Sequence, residues 1–318
     1  MGEHGREVVS TIWLCPGQGA QKVGMGKDLA ERFPAARQTF QAIDDALGFA
    51  LSTIMFSGPE DQLTATSNAQ PAILAHSAAV FAVIGATVTS VAGAAGHSLG
   101  EYSAYVATGA LRAPDAAKLV RRRGELMQQA GEARPGTMAA VLGLATADVE
   151  AACKEASRAG SIAVAANLNG PDQTVISGDP EAIERAGALC KTKGAKRVLP
   201  LKVSGAFHSP LMAPAADKFR LALDKAPFSD PKAPVIANAT AEPVRDAGRA
   251  RRLLTDQLTA PVRWVACMEQ AAKLAEGPRF LEIGPGAVLA GLLKRIVPGA
   301  TVTSLGTADE VTKFMEAA

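Results

Sequence analysis

Short apolar runs in this chain alternate with longer stretches in which apolar residues recur every three or four positions, a pattern of strands followed by helices. Thr11 to Cys15 (TIWLC) predicts a buried strand that stops at Pro16-Gly17, and a helix pattern follows from about Lys27 to Ala46. From Ala69 to Ala95 there is no charged residue, a length that could span a bilayer. This run is built from Ala, Ser, Thr and Gly with His76 inside, and Gly85 divides it into a helix and a strand at Val88 to Ala95, both expected in a soluble core. Glu101 to Thr108 predicts a helix, and Pro114 opens another that runs to about Ala130.

Residues 137 to 203 read as a separate unit. TMAAVLGL, SIAVAAN, QTVISG and RVLPLKVS predict strands, with helices at Thr146 to Ala159 and Pro180 to Gly194. That order, β-α-β-β-α-β, is the ferredoxin-like arrangement. The chain continues with a helix from about Ala213 to Asp224, a short strand at Pro234 to Ala237 and a helix beginning near Arg249. It closes with the strand FLEI, a Gly284-Pro285-Gly286 turn and a helix at Ala287 to Ile296.

Composition narrows the field. A chain of 318 residues, 48% hydrophobic and 20% charged, is expected to be soluble and globular. The net charge of +2 gives no argument for a polyanionic partner, and 4% aromatics speak against stacking platforms for single-stranded nucleic acid. Cys15, Cys153, Cys190 and Cys267 lie far apart with no C-x-x-C, so neither a zinc site nor a disulfide framework is expected, and a reducing compartment fits. The start, MGEHGREVV, lacks the apolar core of a signal peptide, and Arg6 stands where a myristoylation signal needs Ser or Thr.

Chemistry concentrates at GHSLGEY, residues 96 to 102, which fits the G-x-S-x-G nucleophile elbow between a strand and a helix. Ser98 is the candidate nucleophile; the bland alternative is a small residue in a βα turn. A serine needs a general base, most often His. His4 is in a tail, His76 suits a core role in an Ala-rich helix, and His97 adjoins the nucleophile in a turn where neighbours point apart. His208 remains, in a loop after Ser98 in chain order, with no acid assignable to orient it; a backbone carbonyl could do so. In the helix opened by Pro114, Ala116, Leu119, Val120, Leu126, Met127 and Ala130 share one side and Arg123 projects from its middle, while Arg121 faces Glu125. A guanidinium on an apolar face needs an anionic partner, from the protein or from a ligand. The loop Pro16 to Gln21 is glycine-rich, but Lys22 breaks the dinucleotide fingerprint, leaving backbone N–H groups free to face something negative.

Together, GHSLGEYSA (96 to 104), PGQGAQ (16 to 21), RGELMQ (123 to 128), ANLNGPDQTVISG (166 to 178), GAFHSPLM (205 to 212), QLTAPVRW (257 to 264) and EIGPGAVLAGL (282 to 292) resemble the malonyl-CoA:acyl carrier protein transacylases over nearly the whole chain. The resemblance implies an α/β fold, an α/β-hydrolase-like large subdomain (1–134 and 205–318) with an inserted ferredoxin-like small subdomain (135–204). By position it implies Ser98 as the acylated nucleophile, His208 as the base, the backbone N–H groups of Gln18 and Leu99 as the oxyanion hole, and Arg123 as the holder of the malonyl carboxylate. Gln257 matches the residue whose main chain orients the histidine; Asn167 and Asn169 match residues near the site, and His97 a supporting neighbour. GAFH resembles the form found where malonyl is preferred to methylmalonyl. Tyr105 departs from many relatives and is assigned to helix packing. The implied partners are malonyl-CoA and holo-acyl carrier protein, with no bound cofactor or metal, no nucleic acid and no membrane; a monomeric cytoplasmic enzyme of fatty acid synthesis is expected. The alternatives are a stand-alone acyltransferase for a polyketide synthase, an ester or thioester hydrolase, and an inactive carrier-protein-binding module. A nucleic-acid binder built on Arg121 to Arg123 is disfavoured, because the central arginine faces the core side.

Overall fold

The computed structural model describes residues 10–317. His4 and Arg6, and with them the readings of the first nine residues, lie outside the described residues. In chain order the elements are β1 (Thr11–Cys15), α1 (Lys27–Arg32), α2 (Pro34–Leu47), α3 (Leu51–Ser57), α4 (Glu60–Thr64), α5 (Thr66–Ile84), β2 (Val91–Gly96), α6 (Gly100–Ala107) and α7 (Ala113–Ala133). There follow β3 (Thr137–Leu142), α8 (Thr146–Ala156), β4 (Ala163–Gly170), β5 (Gln173–Gly178), α9 (Pro180–Thr192) and β6 (Arg197–Pro200). The last stretch holds α10 (Ala213–Lys225), β7 (Val235–Ile236), β8 (Pro243–Val244), α11 (Ala247–Asp256), α12 (Trp264–Ala271), β9 (Arg279–Ile283), α13 (Val288–Ile296), β10 (Val302–Leu305) and α14 (Ala308–Ala317).

Two sheets organise this mixed α/β chain. The larger has the order β10-β9-β1-β2-β7-β8, parallel throughout except for the β7–β8 pair. Helices cover both of its faces, so successive residues of β1 are all buried: Trp13 and Cys15 join the core on the α5 side, Ile12 and Leu14 the core around Trp264 and Leu293. The long uncharged run resolves into α5 and β2, and α5 is buried over most of its circumference, which is why its apolar residues show little periodicity. No helix among the described residues is long and apolar enough to cross a membrane.

The second sheet is wholly antiparallel, in the order β4-β5-β3-β6. Its own core, around Val141, Val149, Ile176 and Ile183, lies between the strands and α8 and α9. β4 of this sheet is tied by backbone to the segment that leads into α12: Val262 donates to Ala166 O (2.8 Å) and Leu168 donates to Val262 O (2.9 Å).

Two sequence expectations change. The single helix over 27–46 is two helices, because Phe33 is extended before Pro34, whose ring disfavours the helical conformation in the preceding residue. The strand expected over 197–204 ends at Pro200, and Leu201, Lys202 and Val203 instead line the cleft beside the elbow.

Candidate active site

β2 ends at Gly96 and α6 begins at Gly100, so Ser98 sits in the turn between them with φ 53°, a left-handed conformation that costs a non-glycine residue about 1–2 kcal/mol. Both flanking glycines are required by contact. A Cβ on Gly96 would lie 1.9 Å from the Gly100 carbonyl, and one on Gly100 would lie 2.1 Å from Cys15 O. The strained turn is held by Asn238, at the end of β7: its Oδ1 accepts from the Ser98 N–H (2.7 Å) and its Nδ2 donates to Gly96 O (2.7 Å).

His208 also has a positive φ, 56°, in the loop before α10, and is 4% exposed. Its Nδ1 is 2.8 Å from Gln257 O, and a carbonyl can only accept, so the proton of the neutral ring is on Nδ1. Nε2 therefore presents its lone pair to Ser98 Oγ, 2.7 Å away. Burial, then the nearby Arg123 charge, pushes the His208 pKa down to about 3, so the ring is neutral across the ordinary pH range. No carboxylate is needed to fix the tautomer; a backbone carbonyl does it.

Arg123 reaches the same point from α7 and is 1% exposed. Its Nη1 donates to Gln70 Oε1 (2.8 Å), and its Nη2 donates to Gln257 Oε1 (2.9 Å) and to Ser98 Oγ (3.2 Å). Burial lowers its pKa while Tyr102 and Glu101 raise it, and a guanidinium stays protonated. Among the described residues no carboxylate comes within ion-pair distance of Arg123, whereas Arg121, two residues earlier, pairs with Glu125 at 2.8 Å as its spacing predicts. The buried cation is solvated by neutral acceptors and faces an open cleft of about 880 Å³ that Gln18, His97, Ser98, Arg123, Asn167 and His208 line.

The remaining sequence-predicted residues divide. The backbone N–H groups of Gln18 and Leu99 donate to no group among the described residues, and Leu99 stands at the N-terminal end of α6, where the helix dipole favours negative charge. His97 turns away from Ser98: its Nε2 bonds Asn169 Oδ1 at 2.7 Å, and its ring lies 5.4 Å from that of Trp264, tying the elbow to the second sheet. Asn167 lines the cleft with its buried Oδ1 unpartnered. Tyr105 is fully buried against Phe228, in helix packing. Among the described residues no three His, Cys, Asp or Glu side chains are grouped to hold a metal ion.

Sequence reasoning missed Gln70, Asn238 and the placement of Glu101. Gln70 had a signal, being the one amide in the buried stretch Ala69–Val80 of α5. Glu101 reads as a first-turn acid favoured by the helix dipole, yet it is fully buried and points to Asn238 N (3.0 Å) and Gln257 Nε2 (2.7 Å). Burial pushes its pKa up to about 7 against the lowering effect of those bonds and of Arg123.

Residues 12–317 match the family model for the acyl transferase domain. The malonyl CoA-acyl carrier protein transacylase of Bacillus subtilis is 44% identical over 89% of this chain and 89% of its own length. That of Escherichia coli K12 is 43% identical over 96% of this chain and 98% of its own length. Among solved structures, a malonyl-transacylase in complex with a type II PKS acyl-carrier protein superposes with a TM-score of 0.92 at 41% identity, covering 97% of this chain and 100% of that one. The malonyl CoA-acyl carrier protein transacylase of Coxiella burnetii gives 0.92 at 39% identity, with 97% of each chain covered.

Proposed function

The chain belongs to the acyl transferase family, among the malonyl CoA-acyl carrier protein transacylases, and from that premise we propose that Ser98, His208 and Arg123 are its reacting centre. The enzyme transfers a malonyl group from malonyl-CoA to acyl carrier protein for fatty acid synthesis. One observation carries the assignment of residues: Ser98 Oγ lies 2.7 Å from a histidine nitrogen that presents its lone pair and 3.2 Å from a buried guanidinium that pairs with no carboxylate among the described residues.

The malonyl carboxylate pairs with Arg123, whose fork fixes the thioester carbonyl over Ser98. Ser98 Oγ attacks the carbonyl carbon while His208 Nε2 takes the hydroxyl proton. The oxyanion is received by the free N–H groups of Gln18 and Leu99. The carbon–sulfur bond breaks, the CoA sulfur leaves with the proton from His208, and malonyl is left as an ester on Ser98. The phosphopantetheine thiol of holo-acyl carrier protein then gives its proton to His208 and attacks the ester carbonyl carbon, the bond from that carbon to Ser98 Oγ breaks, and Oγ takes the proton back from His208, completing a ping-pong cycle. CoA and phosphopantetheine arrive on the substrates, so no step calls for a resident cofactor. His97 and Asn169 hold the elbow against the second sheet, and Asn167 offers its free acceptor to the incoming thioester arm.

This reading includes the subdomains. Residues 135–204, with their βαββαβ succession and helices on one face of an antiparallel sheet, fit a ferredoxin-like insert in an α/β-hydrolase-like unit of residues 1–134 and 205–318. The four free buried cysteines are in keeping with the cytoplasm. A polyketide carrier as acceptor is the second reading, favoured by the likeness to a transacylase solved with a type II PKS carrier.

The test is to supply malonyl-CoA with a fatty acid or a type II polyketide holo-carrier and to follow malonyl-carrier and free malonate together. Malonyl-carrier formed faster than malonate supports transfer, and the better carrier decides between the pathways. Malonate alone would make the protein a hydrolase.

A further inference from the structure

Beyond the reacting centre, the geometry points to Glu101 as a positioning residue: we propose that its carboxylate fixes the amide orientation of Gln257 and thereby aims the Arg123 guanidinium, setting the preference for a dicarboxylic acyl group over a plain one. The inference rests on the reading of Arg123 as the malonyl holder.

Gln257 is fully buried and its side chain is shared three ways. Nε2 donates to Glu101 Oε2 (2.7 Å) and to Ser98 O (3.0 Å), while Oε1 accepts from Arg123 Nη2 (2.9 Å). An amide of this kind can be turned over with little change of shape. Turned over, it would set an NH₂ against the guanidinium N–H and a carbonyl against the carboxylate, donor facing donor and acceptor facing acceptor. Glu101 prevents this, because its Oε2, which also accepts from the Asn238 N–H, stays an acceptor whether or not the other oxygen carries a proton. It is held in turn by the Asn238 N–H, the same residue whose side chain braces the Ser98 turn. Glu101 Oε1 has no hydrogen-bond partner among the described residues, and the bonds of the side chain run through Oε2 into this junction. Among the described residues Arg123 has two other hydrogen-bond acceptors, Gln70 Oε1 and Ser98 Oγ, the second being the reacting atom, and its guanidinium lies 5.6 Å from the centre of the Tyr102 ring. Without a fixed Gln257 Oε1 the guanidinium keeps Gln70 and the non-directional contact with the Tyr102 ring, so it can turn about its Gln70 bond, and the carboxylate it holds no longer sets the distance from the carbonyl to Ser98.

The ratio of malonyl to acetyl acylation of Ser98, measured in single turnovers, is independent of how much of a variant folds. Arg123→Ala alone tests the underlying reading: a ratio unchanged in that variant would remove it, and this inference with it. If Arg123→Ala lowers the ratio, Glu101→Leu is expected to lower it by about ten-fold, the effect of one lost buried bond. Glu101→Gln, which keeps an acceptor for Gln257, is expected to fall between Glu101→Leu and the natural protein, and it serves alone if Glu101→Leu does not fold. In the Arg123→Ala background neither substitution should change the ratio further. An unchanged ratio in both Glu101 variants, with equal losses for both acyl groups, would make Glu101 a structural residue only.

Discussion

Two strand-to-helix turns flank β1 in the same parallel sheet, and they solve one problem in opposite ways. After β9 the chain turns through Gly284 (φ 145°) and Gly286 (φ 82°), residues without a Cβ to clash. The buried Glu282 then closes the entry to α13, accepting from Leu289 N (2.9 Å) and Ala290 N (2.8 Å). After β2 the left-handed position is given to Ser98, the Leu99 N–H has no partner among the described residues, and the buried Glu101 bonds outward to Asn238 and Gln257. The first turn fills the helix entry with its own Glu282, bonds to β10 through Gly284 N and Leu305 O and to α5 through Ser77 Oγ and Ile283 O, and is scaffold. The second departs from local preference at each point where the proposed reaction needs a group held ready, and distant segments stabilise it.

The comparison can be broken by substitution. The largest selective effect is expected at Arg123: Arg123→Ala should lose malonyl transfer by about 2–5 kcal/mol, as for one partner of a buried charge pair, while acetyl transfer falls less or rises. Equal losses measured with malonyl-CoA and acetyl-CoA would remove the carboxylate role. Asn238→Ala leaves the Ser98 N–H and Gly96 O unpaired, and should slow acylation by both donors alike, by about 1–3 kcal/mol. A rate equal to that of the natural enzyme would mean the turn holds itself. Glu282→Ala frees two N–H groups of α13 and should lower stability to denaturant by about 1–3 kcal/mol, with single-turnover acylation of the folded fraction unchanged. A loss of acylation there would erase the distinction between the two turns. The smallest expected effect is of pH. His208 is neutral down to about 3, so acylation should show no fall due to histidine as pH drops through 6.5, whereas a limb centred there that His208→Ala removes would contradict its burial.

Local pattern carried much of this molecule. Strands Thr11–Cys15 and Gln173–Gly178 are bounded as their apolar runs imply, and helical spacing alone put Arg123 on the buried side of α7. What escaped has a common cause. Asn238 follows a two-residue strand too short to show a period, and its partners Ser98 and Glu101 are 140 and 137 residues away. The Gln257 side chain meets Glu101 and Arg123 across 156 and 134 residues, and its main-chain meeting with His208, 49 residues away, was implied by the family resemblance and by no local pattern. Such meetings belong to sheet order, and no spacing along the chain encodes them. The break at Phe33 was legible in Pro34.

The most direct test of the central claim is the intact mass of the protein after brief incubation with malonyl-CoA, beside acetyl-CoA and Ser98→Ala controls, followed by holo-acyl carrier protein. A malonyl adduct that is absent in Ser98→Ala, forms in preference to acetyl and is lost to the carrier is the predicted result. An adduct that persists in Ser98→Ala, or none in the natural protein, would contradict the account.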